Sequence, residues 1–428
     1  MTRKFISFPI ADFQQTRRQM LNWGNRFNIC CFLDNHQYEL PRHRIECLLG
    51  AGSLREISAN AGAAFASLQT FLSAEKDWVF GHLGYDLKNE LETLSSSHPD
   101  GVGFPDLFFF IPQIVAQLTP DALIIGVTDD SHETVYNEIA AAPASIPASP
   151  AAGASIRSRF SAQEYIDTVE RIRQHILKGD CYEMNFCQEF YAEKADIHPL
   201  KVYGSLSRSS PNPFSAYYKL GDKYLLCMSP ERYLNRSGHT ILSQPIKGTS
   251  RRDAENEARD ALSKDHLRTS EKERSENIMV VDLVRNDLSR VCRKGTVKVD
   301  ELCGIYSFPQ VHQMISTVSG ELEDNTSFAD IIKATFPMGS MTGAPKKRVM
   351  QLIEQYERSK RGLFSGSIGY IHPEGDFDFN VVIRSIAYNA ATAYLSFHTG
   401  SAITFQSDPA GEYQECLLKA EAIKKVLE

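Results

Sequence analysis

The sequence predicts an α+β fold whose sheets are mainly antiparallel. Short apolar runs bounded by turn residues recur along the chain, and other stretches carry helical periodicity. No strand–helix–strand alternation opens on a GxGxxG turn, which argues against a doubly wound nucleotide-binding sheet.

Taken in order, NICCFLD (28–34), DLFFFIP (106–112) and ALIIGVT (122–128) read as strands. AAAPASIPASPAAGAS (140–155) is uncharged and rich in Ala, Pro and Ser. It cannot bury enough apolar surface to fold alone, so it reads as a linker or long surface loop. The chain is therefore expected to divide into an N-terminal subdomain (1–139), a linker (140–157) and a larger domain (158–428). Past the linker, Ser161 and Glu164 stand at capping-box spacing. Tyr165, Val169, Ile172 and Ile176 then share one face of a helix that Gly179 ends. GLFSGSIGYI (362–371), FDFNVVIRSIAY (377–388) and YLSFHTGSAIT (394–404) read as a hairpin meander, and EYQECLLKAEAIKKVL (412–427) as a closing helix.

A net charge of −7 over 428 residues speaks against a non-specific nucleic-acid binder, so any anionic substrate needs cations gathered locally. Nine cysteines, an odd number without a CxxC, point to reduced thiols and a cytoplasmic protein. The N-terminus lacks the apolar segment of a signal peptide. The most apolar run, LFFFIPQIVAQL (107–118), is too short to span a bilayer and contains Pro112. Neither a membrane nor a nucleic acid is an expected partner.

Lys247, in PIKGT (245–249), stands where a turn normally carries a small residue, and is either a surface lysine or a reactive one. Glu273 and Glu276 are three residues apart, as are Glu412 and Glu415, with Lys419 one turn further on. Two helices each offering such a pair could hold a hard divalent ion such as Mg²⁺, yet the same spacing is common on solvated helix faces. Arg384, in an apolar run, needs an anion: a structural partner or a substrate carboxylate. His312 reads as an ordinary core or surface histidine. FPMGSMTGAPKKR (336–348) has the composition of an anion-cradling loop but not the P-loop spacing.

Together these segments resemble the chorismate-utilising enzymes, the family of anthranilate synthase component I. The resemblance is carried, in order, by SPERY (229–233), PIKGT, ENIMVVDLVRNDLSRVC (276–292), VHQMISTVSGEL (311–322) and FPMGSMTGAPK (336–346). It continues through RGLFSGSIGYI (361–371), VVIRSIAY (381–388), HTGSAI (398–403) and SDPAGEYQECLLKAEAI (407–423). It covers roughly 158–425, and reaches the N-terminal part more loosely through FGHLGYDLKNELE (80–92). It implies an anthranilate-synthase-component-I-like α+β fold: mainly antiparallel β-sheets in a sandwich-like core, with helices packed outside.

Lys247 selects the branch. The anthranilate-forming members, which aminate C2 of chorismate and release pyruvate, carry PIAGT. The members that aminate C4, on the route to 4-aminobenzoate and folate, carry PIKGT. The isochorismate and salicylate synthases keep their catalytic lysine in the strand that here reads CYEMNFCQEF (181–190), where it aligns with Glu183. The resemblance thus implies a transferase that aminates chorismate at C4. In it Lys247 attacks C2 covalently and must spend time uncharged, and Glu231, its pKa raised by burial, protonates the departing hydroxyl.

His312 is implied near the departing or attacking group. Arg384 grips the enolpyruvyl carboxylate, with Gly400, Ser340, Thr249 and Lys419 also on the substrate. Mg²⁺ is implied on the ring carboxylate, bound directly by Glu276 and Glu415 and through water by Glu273 and Glu412. The chain departs from the pattern at Phe364 (commonly tyrosine), Ala402 (glycine), Ser340 (threonine) and Glu183 (glutamine). CFLDN (31–35) departs from the motif that holds tryptophan in relatives, so no regulation is inferred. No glutaminase signature is seen, so ammonia is expected from a glutamine amidotransferase subunit. The alternatives are C2 amination with pyruvate release, and a non-catalytic chorismate-binding subunit.

Overall fold

The strand Leu107–Ile111 is apolar at every position because both of its faces are buried. Phe108 and Phe110 point into one core, while Leu107, Phe109 and Ile111 point into another. Ile29–Asp34 divides in the same way, with Cys31 on one side and Cys30 and Phe32 on the other. Alternation along a strand thus gives a continuous apolar run when the sheet is covered on both sides.

The computed structural model of the chain, which describes residues 2–39, 45–145, 154–253, 255–308 and 310–427, accordingly stacks helices, sheet, sheet and helices around three large cores, with a small fourth at Leu267, Cys303 and Met314. Among the described residues one sheet has twelve strands and the other ten, and the pairings within them are antiparallel. Phe80, Phe110, Val115, Tyr218, Leu225 and Val382 fill the space between the sheets. The outer face of the larger sheet packs Met20, Val169, Ile172, Leu352 and Cys416 from helices. The outer face of the smaller one packs Phe65, Leu68, Val280, Val284 and Ile332.

The helix Ala162–Leu177 begins with both halves of the Ser161–Glu164 capping box in place. The closing helix runs Pro409–Leu427, three residues earlier than the sequence reading began it, because proline is accommodated in a first helical turn. The expected meander is corrected. Residues 377–388 are not one strand: Phe377–Asn380 pairs with Ser367–Ile371 in the smaller sheet, and Ser385–Asn389 pairs with Tyr394–Ile403 in the larger. The chain crosses between sheets at 381–384, so that Val381 is buried in an outer core and its neighbour Val382 between the sheets. Arg384 takes the left-handed conformation there, with φ of 51°.

Strands from both sides of the 140–157 segment lie side by side in each sheet, Ile29–Asp34 with Phe214–Leu220 in one and Val79–Leu83 with Ser367–Ile371 in the other. The middle of that segment, 146–153, lies outside the described residues. All nine cysteines are buried and unpaired. No helix among the described residues is long and apolar enough to cross a membrane.

Candidate active site

The two sheets meet where Ile246–Arg251, the last strand of the smaller, approaches Glu183–Ala192 near the edge of the larger. Ile246–Arg251 pairs with Val311–Glu321 across a register shift between Ile246 and Thr249. Gly248, with φ of 94°, sits in that irregularity. A Cβ there would lie 3.0 Å from Glu273 Oε2 and 3.2 Å from Glu273 Cβ, so the strand approaches the helix Glu271–Ser289 as closely as glycine allows. Asn277 of that helix donates to the Lys247 carbonyl at 3.4 Å and to the Met314 carbonyl at 3.3 Å, tying both strands to it.

Lys247 Nζ lies 3.2 Å from Glu183 Oε1, with side-chain exposures of 12% and 1%. Burial acts to lower the pKa of this amine, but Glu183, Glu276 and Glu231 outweigh it and the net shift is upward. The sequence-based expectation of an uncharged Lys247 is therefore corrected for the protein alone, in which surrounding carboxylates hold it as an ammonium. Glu183, the residue out of step with the family pattern, is the nearest of them.

Glu231 lies on the link between Lys223–Ser229 in the larger sheet and Arg232–Ser237 in the smaller, a second crossing beside the one at 381–384. The two crossings bond to each other: Val381 N–H donates to the Glu231 carbonyl at 3.0 Å, and Met228 N–H to the Arg384 carbonyl at 3.3 Å. Burial pushes the Glu231 carboxyl up to about 7, against the pull of Ser340, Lys247 and Arg384. Burial also lowers the Arg384 guanidinium, which Glu231 partly offsets. Among the described residues the guanidinium has no hydrogen-bond or ion-pair partner of its own. A small pocket borders Glu231 and is lined by Ser243, Asp287, Ser340 and Val381 among others.

Of the four glutamates, Glu276 and Glu412 are buried, Glu273 is partly buried and Glu415 is about half-exposed. Burial pushes Glu276 up to about 7 and also raises Glu273. Glu412 accepts from the Ser401 hydroxyl. Glu415 is opposed by burial yet held low by Lys419, 2.8 Å away. Lys272 enters from the first turn of the helix Glu271–Ser289, 3.6 Å from Glu412 and 4.0 Å from Glu276. Among the described residues no three acids converge on one point closely enough to ligate an ion as they stand. The donor set nonetheless fits a hard divalent cation: the donors are carboxylate oxygens, and buried Glu276 Oε1 has no hydrogen-bond partner.

The other candidates are placed unevenly. Ser340 is buried beside Glu231, whereas Thr249 is exposed beyond the register shift. Gly400 packs against Phe186 and Cys187 with no room for a side chain, and its carbonyl accepts from Lys419 at 2.9 Å. His312 stands apart in its bonds: its ring nitrogens contact Ser307 at 2.9 Å and Asp260 at 3.0 Å. In the 336–348 loop Lys346 is not free for an anion, because it is bonded to Asp287 at 2.6 Å.

Sequence reasoning missed Asn277, Lys272 and Arg361. Arg361 is buried, pairs with Glu357 at 2.6 and 2.9 Å, and donates to the carbonyls of Met341 and Asn185. Glu357 in turn accepts from the Cys187 N–H, so the pair locks the 339–341 turn to the strand carrying Glu183. Glu357 and Arg361 stand four apart, but Arg358 is exposed and Lys360 partly so between them, and nothing in the spacing marks the outer two as the buried pair.

Residues 30–425 match the chorismate binding enzyme family. The chain is 34% identical over 364 residues to aminodeoxychorismate synthase component 1 of Bacillus subtilis (strain 168), covering 82% of this chain and 77% of that protein. It is 32% identical over 360 residues to anthranilate synthase component 1 of Thermus thermophilus, with the same coverage of 82% and 77%. The fold is similar to the crystal structure of anthranilate synthase component I from Streptococcus pneumoniae TIGR4, with a TM-score of 0.76, 25% identity and coverage of 91% and 94%.

Proposed function

The chain belongs to the chorismate-binding enzyme family, and we propose that it is the member that aminates chorismate at C4 to give 4-amino-4-deoxychorismate, on the route to 4-aminobenzoate and folate. One observation carries the choice: a largely enclosed lysine amine, Lys247, faces an acid poised near neutrality, Glu231, and an acceptor, Glu183.

In the proposed reaction Lys247 first passes a proton to Glu183, 3.2 Å away. Its lone pair forms a bond to C2, the two ring double bonds shift, and the C4–O bond breaks. The Glu231 proton goes to the departing hydroxyl, which leaves as water. Ammonia then forms a bond to C4, the double bonds shift back, and the C2–N bond breaks. Glu231 takes the proton that the new amine sheds, and Glu183 returns its proton to Lys247. Chorismate and ammonia are consumed, and water and the amine are formed.

Arg384, a partly buried cation that makes no hydrogen bond or ion pair among the described residues, is assigned to the enolpyruvyl carboxylate, which it can meet bidentately. Ser340 is assigned a position beside the departing group, through its place next to Glu231. Gly400 and Lys419, joined by a hydrogen bond, flank the glutamates at the other end. Glu276 and Glu415, with Glu273 and Glu412 further out, are the residues that would hold Mg²⁺. When bound it supplies positive charge that lets a doubly negative substrate approach four carboxylates. Ammonia is assigned to a glutamine amidotransferase subunit, and the nine unpaired thiols support a cytoplasmic location.

The test is product analysis of the purified chain with chorismate, Mg²⁺ and ammonium. A product that keeps the enolpyruvyl group and carries an amine in place of the C4 hydroxyl supports the assignment. Pyruvate with fluorescent anthranilate would replace it by C2 amination.

A further inference from the structure

Lys272 belongs to none of the motifs that define the site, yet it stands among its glutamates. Its Nζ is 3.6 Å from Glu412 Oε1 on the closing helix and 4.0 Å from Glu276 Oε1 on its own. The charges of Glu415 and Glu273 act on it as well. Carboxylates drawn together in a partly buried pocket repel one another, and in the protein alone the Lys272 ammonium offsets part of this, with Lys247 and Lys419.

The way it is held matters. Both contacts are ion-pair distances too long for hydrogen bonds, and Glu276 Oε1 keeps no hydrogen-bond donor. The Lys272 side chain is 42% exposed, so solvent lies behind it and a rotation about its four-carbon stem would carry the charge out. Lys272 therefore offsets charge on Glu276 and Glu412 without satisfying their hydrogen-bonding capacity. A divalent cation would do both, but the two positive charges cannot share the pocket.

We propose that Lys272 is the resident counter-ion of the four-glutamate cluster and gives way when a divalent cation enters, so that it weakens and tunes metal affinity. The inference rests on the assignment of Mg²⁺ to these glutamates. Its test is calorimetric titration of the full chain with Mg²⁺ alone, comparing wild type, Lys272→Gln and Lys272→Arg. Lys272→Gln binds Mg²⁺ about tenfold more tightly, the effect of removing one competing charge near 4 Å in a partly solvated site. Lys272→Arg keeps the charge and the wild-type affinity. In chelator, Lys272→Gln melts below wild type and gains more from added Mg²⁺. Equal or weaker binding by Lys272→Gln overturns the role of the lysine alone. No binding by any of the three proteins overturns it together with the metal assignment.

Discussion

Lys247 and Glu183 come from different sheets and meet at 3.2 Å, the closest link between the amine and any carboxylate around it. An ion pair this deeply buried holds its proton tightly, because the ammonium is stabilised by Glu183 more than by any other neighbour. Glu183→Gln removes that stabilisation. Labelling of Lys247 by an amine-specific reagent, followed by peptide mass spectrometry, then begins at lower pH than in wild type. Labelling that begins at the same or higher pH would show that the pair does not control the amine.

Glu231 sets a pH dependence of definite sign. Its folded pKa of about 7 means that the proton needed by the C4 hydroxyl is present below that value and lost as pH rises through it. In single-turnover experiments without ammonia, loss of the hydroxyl is expected to slow as pH rises through about 7. Glu231→Gln, which cannot give up a proton, is expected to slow that step by roughly 100-fold or more at all pH values.

Gly248→Ala tests how the Lys247 strand is seated. The new methyl meets Glu273 in a backbone conformation, φ of 94°, that alanine rarely adopts. The expected cost is about 1–3 kcal/mol of stability, read as a lower melting temperature. Turnover falls further than stability, because Lys247 and Glu273 are both displaced.

Glu357→Ala leaves the Arg361 guanidinium buried and unpaired. Removing one partner of such a pair is expected to cost about 3–5 kcal/mol in chemical denaturation. The companion change Arg361→Lys cannot reproduce the two-pronged bond to Glu357 and is expected to fall in between.

Legibility in the sequence differed with the kind of information each residue carries. Glu273 with Glu276, and Glu412 with Glu415, were visible as pairs because spacing along a helix fixes which residues share a face. What each face meets is a tertiary fact, so the ammonium of Lys272 between the two helices was not visible. Apolar runs identified strands such as Leu107–Ile111, but not which sheet each would join. Val381 and Val382 show why: both are fully buried, as in an ordinary strand, yet they fill two different cores where the chain changes sheets. That crossing, and its partner at Glu231, place the acid and Arg384 side by side. The charge of Lys247 in the protein alone was not visible, because the carboxylates that raise its pKa come from distant segments.

The central claim is that the amine at position 247 makes the bond that frees C4. The most direct test is the rate of C4 amination by Lys247→Ala, with chorismate, Mg²⁺ and saturating ammonium. The account predicts loss of C4 amination by roughly a thousandfold or more, in a protein that still binds chorismate. Amination at the wild-type rate by that variant would contradict it.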